Sequence, residues 1–175
     1  ISYSLTMNFD GGSCTCGANE TCTSTSINYD SSINLCTPTK TGHTFSNWSE
    51  SCGTREGNTY TQSATENCTL TAIYTPNNYP YVVYHDKMNT DGSTYTRVDA
   101  DTYESTAAYG STVNGVVKTY SGFTSPNQTS ITIVEDDTNY QHNHITYLHF
   151  INPYITYLHE MFLQLLLPVF LWLIY

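Results

Sequence analysis

His142, Asn143 and His144, followed by His149, form the densest set of metal-ligand side chains in this 175-residue sequence. Residues two apart on a strand project to the same side, so the imidazoles of His142 and His144 can share a cation. Glu160 is the one carboxylate downstream of them. A solvated, chance histidine cluster is the preferred reading, and no metal site is assigned. Glu135, Asp136 and Asp137 offer carboxylates to calcium, but a calcium loop spaces its oxygen ligands more widely, and an acidic hairpin turn is the simpler reading. Asp99 and Asp101 would share a strand face as an acid pair, yet no pocket signal accompanies them. No Gly-x-Ser-x-Gly elbow marks a serine nucleophile. The expectation is therefore of no catalytic residues, no cofactor and no enzyme.

The six cysteines carry a different chemistry. Cys14, Cys16, Cys22, Cys36, Cys52 and Cys68 all fall in the first 68 residues. An even number confined to one small module reads as a disulfide framework formed in an oxidising compartment. Cys14-Thr15-Cys16 also suits zinc, but the paired C-x-x-C knuckles of a zinc module are missing. Six cysteines allow 15 connectivities, and spacing does not choose among them.

Composition narrows the partners. Lys and Arg number five against 15 Asp and Glu, a formal net charge of −10, with charged residues only 11% of the chain. Counterion release from phosphate needs a cationic stripe, so nucleic acid is not an expected partner. A surface rich in Thr, Ser, Asn and Tyr suits an extracellular or cell-surface β protein. The sequons at Asn19, Asn47, Asn67 and Asn127 are ordinary in such a composition. The chain begins at Ile1 without Met or a signal peptide and reads as part of a longer precursor.

The elements that would position these groups are strands. Residues 2–9 alternate, with Tyr3, Leu5, Met7 and Phe9 on one side, and Asp10-Gly11-Gly12 closes the run. Ile27, Tyr29, Ile33 and Leu35 form a second apolar set. Phe45 and Trp48 are the large core anchors, and residues 69–74 form a closing strand. A module of this size with no valine is marginal without covalent cross-links. Residues 76–80 read as a linker. A second module over 81–140 begins with the strand at 81–85 and turns at Asn89-Thr90-Asp91-Gly92-Ser93. A return strand follows at 94–98. Residues 102–108 are a short helix or irregular, and strands follow at 112–120 and 130–134. This module is valine- and isoleucine-rich and cysteine-free, so branched apolar packing replaces the cross-links.

One stretch has an echo. Thr37-Pro38-Thr39-Lys40-Thr41-Gly42-His43-Thr44-Phe45-Ser46-Asn47-Trp48 is loosely repeated by Val117-Lys118-Thr119-Tyr120-Ser121-Gly122-Phe123-Thr124. In each, a basic-Thr pair leads through Gly to an aromatic, which points to tandem small modules. Phe9-Asp10-Gly11-Gly12, the Pro38–Trp48 stretch and Thr69-Leu70-Thr71-Ala72-Ile73-Tyr74 together resemble the internalin B-repeat family, also called Listeria–Bacteroides repeats. His43 stands where that pattern has Tyr, Tyr74 where it has Trp, and the cysteine-bearing segment after Gly12 is an addition. The second module is similar to a mucin-binding-protein-like repeat. These resemblances imply two tandem β-grasp-like repeats in a bacterial surface protein. Such repeats would act as stalk or adhesion modules, with a glycan or protein ligand and neighbouring repeats as partners, and they carry no catalytic residues over.

From residue 141 the composition changes. Ile145-Thr146-Tyr147-Leu148-His149 is duplicated at residues 155–159, and the last fifteen residues are almost wholly apolar. This 141–175 tail reads either as a membrane anchor, helical in character, or as a non-native extension. A spanning helix needs about 20 apolar residues, and Pro153, His159, Glu160 and Pro168 interrupt any longer run.

Overall fold

In the computed structural model, residues 1–135 and 143–152 are described, and the chain is mainly β. It divides into two compact units, residues 1–78 and 79–175. Each described core is its own cluster: Leu5, Met7, Ile27, Leu35, Trp48, Tyr60, Leu70 and Ala72 in the first, and Tyr81, Val83, Ile133, Ile145 and Tyr147 in the second.

The first unit has seven strands: β1 (Ser2–Asn8), β2 (Thr25–Asn28), β3 (Ser32–Asn34), β4 (His43–Glu50), β5 (Thr54–Glu56), β6 (Thr59–Thr61) and β7 (Cys68–Pro76). Its larger sheet has the order β2-β1-β7-β4, and β3-β6-β5 form a smaller one. The alternation of β1 behaves as the period-2 pattern requires, with Leu5 and Met7 buried and Ser4, Thr6 and Asn8 exposed. Strand β7 does the same: Leu70 and Ala72 face the core while Ile73 is exposed. Strands β1 and β7 run parallel, Leu5 opposite Cys68 through Asn8 opposite Thr71. Strand β4 pairs antiparallel with β7 through a bulge between Phe45 and Asn47. Trp48 is fully buried, with Phe9 and Phe45 edge-on to it at centroid distances of 5.6 and 5.7 Å.

The second unit is built on β8 (Asn78–Met88), β9 (Tyr95–Arg97), β10 (Tyr103–Ala108), β11 (Thr112–Asn114), β12 (Phe123–Thr124), β13 (Ser130–Thr132) and β14 (His144–Ile151). Its main sheet has the order β10-β8-β14-β12 with β9 added beside β8, and β11-β13 form the smaller sheet. Strands β8 and β14 are parallel, His144 opposite Val82 through His149 opposite Lys87. Strand β12 pairs antiparallel with β14. The expected hairpin forms at residues 89–94. The Asp91 carboxylate accepts from the Thr94 hydroxyl and from the Ser93 and Thr94 amides, which hold its pKa at about 2.

Four expectations are corrected. The 76–80 linker is taken up by strands, because β7 ends at Pro76 and β8 starts at Asn78. Residues 103–108 are strand rather than helix, since an edge place beside β8 satisfies their backbone groups. The strand expected over 112–120 stops at Asn114. The second unit does not close at residue 140: β14, expected to belong to the tail, lies between β8 and β12. Its Ile145, Tyr147 and His149 alternate with exposed Thr146, Leu148 and Phe150, the pattern of a half-buried strand. The rest of the tail, residues 153–175, lies outside the described residues. Among the described residues no helix is long and apolar enough to cross a membrane.

The echoed motif occupies equivalent turns. In the first, the His43 amide donates to the Lys40 carbonyl at 3.0 Å, and Gly42 has φ 70°. In the second, the Phe123 amide donates to Tyr120 at 3.1 Å, and Gly122 has φ 85°. That left-handed backbone is why glycine recurs there. Each glycine carbonyl then accepts, at 2.9 Å, from the asparagine that follows a parallel strand: Asn77 after β7, Asn152 after β14.

Candidate functional site

All six cysteines are paired, as Cys14–Cys36, Cys16–Cys22 and Cys52–Cys68. The first ties the segment after β1 to the residues after β3, with Cα atoms 6.3 Å apart. The second closes a six-residue loop nested inside the first. The third joins the turn after β4 to the first residue of β7. Zinc at Cys14-Thr15-Cys16 does not arise, because both sulfurs are in disulfides. Cys36 and Cys68 are buried in the Trp48 core, and the Trp48 indole N–H donates to the Cys36 carbonyl at 3.3 Å. Beside them the Gln62 amide is fully buried and saturated. It accepts from the Tyr60 hydroxyl and donates to the Ala64 and Glu66 carbonyls, each at 2.8 Å.

The Gly-Gly turn shows why its second glycine is needed. A Cβ on Gly12 would sit 2.1 Å from the Tyr74 hydroxyl and 2.7 Å from the Thr39 carbonyl. Tyr74 packs edge-on to Phe45 with the Lys40 ammonium 5.2 Å from its ring centroid. Its hydroxyl is buried with no hydrogen-bond partner among the described residues, and burial followed by the nearby Asp10 charge raises its pKa.

Of the histidine cluster, His144 and His149 are among the described residues. His142 lies outside the described residues, as do Asp136, Asp137 and Glu160. His144 is on the exposed face of β14 and His149 on the buried face, since five residues of strand reverse the side-chain direction. Asp99 and Asp101 do not share a strand face either; they lie in a single 3₁₀ turn, Asp99–Asp101. Asp101 accepts from the Tyr120 hydroxyl at 2.7 Å and faces Lys118 at 3.4 Å, and these interactions, Tyr120 first, lower its pKa.

The polar cluster that the sequence reading missed centres on His85. This ring is 1% exposed on β8, and its Nδ1 lies 3.1 Å from His149 Nε2. It stacks on Tyr147 at 5.3 Å, while Tyr120 stands edge-on to His149 at 4.7 Å. One of the two rings donates across that 3.1 Å contact and the other accepts. That leaves His149 Nδ1 buried without a partner among the described residues. Burial, first among the causes, lowers both histidine pKa values. A readable signal existed. Ile145, Tyr147 and His149 share the period-2 apolar face, so His149 was marked for burial by its neighbours.

An open cleft of about 490 Å³ adjoins this cluster, lined by Tyr81, Val83, His85, Asp101, Tyr103 and Lys118 among others. The Tyr81 and Tyr103 rings lie with centroids 6.2 Å apart at its wall. Aromatic rings beside a carboxylate and an ammonium can hold a polyhydroxylated ring by stacking and hydrogen bonding.

Residues 3–73 match the Listeria-Bacteroides repeat domain family, a span that coincides with the first unit. The likeness of the second module to a mucin-binding-protein repeat is unsupported. No curated protein matches the chain. No solved structure matches it.

Proposed function

We propose that this chain is a non-enzymatic repeat region of a bacterial cell-surface protein, extracellular or wall-associated, serving as a stalk or spacer of tandem β-grasp-like modules. The repeat-family match over residues 3–73 supports a surface-protein repeat region. One structural observation carries the extension to the second unit: its sheet order, β10-β8-β14-β12, follows the plan β2-β1-β7-β4 of the first, with the first strand parallel to the last long strand in both. A single residue, Asn77, separates the last strand of one unit from the first strand of the next. Short connections of this kind suit an array in which compact modules follow one another along the chain.

The test is length. With one terminus anchored on a cell surface and a dye at the other, two copies joined head to tail should hold the dye farther from the membrane than one copy. Equal heights would reject the spacer reading.

A second reading rests on the cleft beside Tyr81 and Tyr103: a carbohydrate- or glycoprotein-binding module. Binding of the full chain on a glycan array, abolished by Tyr103→Ala, would support it. Binding unaffected by that change would exclude this cleft.

A further inference from the structure

We infer that each unit is a shear clamp against pulling force, and that the nested disulfides of the first unit release stored length in a set order. The inference builds on the spacer reading for its biological use, but the mechanics follow from the strand directions alone.

In the first unit β1 is the first strand and β7 the last, and they are parallel neighbours. Tension applied at the two ends of the unit draws β1 toward its start and β7 toward its end. The ladder from Leu5–Cys68 to Asn8–Thr71 is then loaded along the strands, with its hydrogen bonds strained together. In the second unit β8 and β14 repeat the arrangement over a longer register, from Val82–His144 to Lys87–His149. An antiparallel terminal pair would instead open one bond at a time from its end. Forced rupture reports the barrier to unfolding, so this geometry sets resistance independently of equilibrium stability.

No disulfide joins β1 to β7; the bridged pairs lie at 14–36, 16–22 and 52–68. The hydrogen-bonded ladder therefore yields first, and the disulfides limit how far the chain then extends. Cys14–Cys36 and Cys52–Cys68 withhold segments of 22 and 16 residues from the stretched chain. Cys16–Cys22 lies within the first of these loops and bears no load until Cys14–Cys36 is broken.

The experiment is single-molecule pulling on the full chain. Handles at Ile1 and at Asn152, just beyond β14, shear both units. Moving the first handle to Asp10, just beyond β1, makes the tension unzip the β1–β7 ladder from one end while the second unit remains sheared as an internal reference. The first unit should then rupture at roughly half its former force or less, because its ladder bonds fail singly. An unchanged force would overturn the clamp without touching the spacer reading.

Dithiothreitol added to the unfolded, stretched chain tests the order. Each protein disulfide takes up two electrons and two protons, and the reagent leaves as its cyclic disulfide. At ~3.5 Å per residue, two steps of about 50–55 Å are expected, from Cys52–Cys68 and Cys14–Cys36, and one of about 15 Å from Cys16–Cys22. The short step must always come after both members of the Cys14–Cys36 bridge have separated. A short step seen before the Cys14–Cys36 step would overturn the nesting; one step of about 70 Å in place of the Cys14–Cys36 and Cys16–Cys22 pair means that the inner bridge was reduced while unloaded, and any other set of lengths would overturn the connectivity.

Discussion

His85 Nδ1 and His149 Nε2 lie 3.1 Å apart in the interior of the second unit, linking β8 to β14 across 64 residues of sequence. Both rings are neutral there, for the same reason: a buried imidazolium loses its hydration, and His149 Nδ1–H would find no acceptor among the described residues. The charges around the pair are divided. Asp86 and Asp101 favour protonation of His85 while Lys118 opposes it, and Lys87 opposes protonation of His149.

The pair makes the second unit acid-sensitive. Both folded pKa values are lowered from 6.5, so below that pH the unfolded chain binds protons that the folded unit does not. The stabilisation is whole above pH 6.5 and declines as pH falls toward the folded values. Hydrogen exchange at pH 7.5 and pH 5 should show protection lost in β8 and β14 but retained in β1 and β7. His149→Leu should flatten this dependence, and a pH profile unaffected by it would refute the account.

Removal of the Trp48 side chain should nearly unfold the first unit. Trp48→Ala leaves a cavity between Phe9 and Phe45 and is expected to cost about 3–5 kcal/mol in denaturant titration. A cost under about 1 kcal/mol would contradict full burial.

Tyr74→Phe should stabilise the first unit. The tyrosine hydroxyl is buried without a partner among the described residues, and relieving such a group is expected to return about 1 kcal/mol. Gly12→Ala should do the reverse by about 1–3 kcal/mol, since its Cβ meets both that hydroxyl and the Thr39 carbonyl. Thermal melting of the two variants, read against the wild type, checks the opposed signs.

Gly42→Ala and Gly122→Ala should each cost about 1–2 kcal/mol, because both positions hold a left-handed φ that Cβ disfavours. The comparison tests whether the echoed turns are equivalent. Denaturant midpoints that fall in the first unit only would show that the second turn tolerates other backbones.

Much of the first unit was legible because its signals are local. The alternation of Leu5 and Met7, the glycine at 42 and the even set of cysteines each depend on neighbours in sequence. In the second unit local signals misled. Residues 103–108 look ambiguous in isolation, and residues 144–151 sit within an apolar tail whose composition outweighed their period of two.

The amino-acid order by itself determined the alternation of β1 and β7, the turns at Gly42 and at Asp91-Gly92, and that the cysteines would be oxidised. Each follows from side-chain type or short-range sterics. Tertiary structure decided which cysteines meet, that β14 enters the second sheet, and that His85 finds His149. The last two depend on parallel pairing between segments more than 60 residues apart, whereas the cysteines meet across separations of 6 to 22 residues. A parallel strand's partner is chosen by the whole core that both must cover, and no local pattern contains that choice.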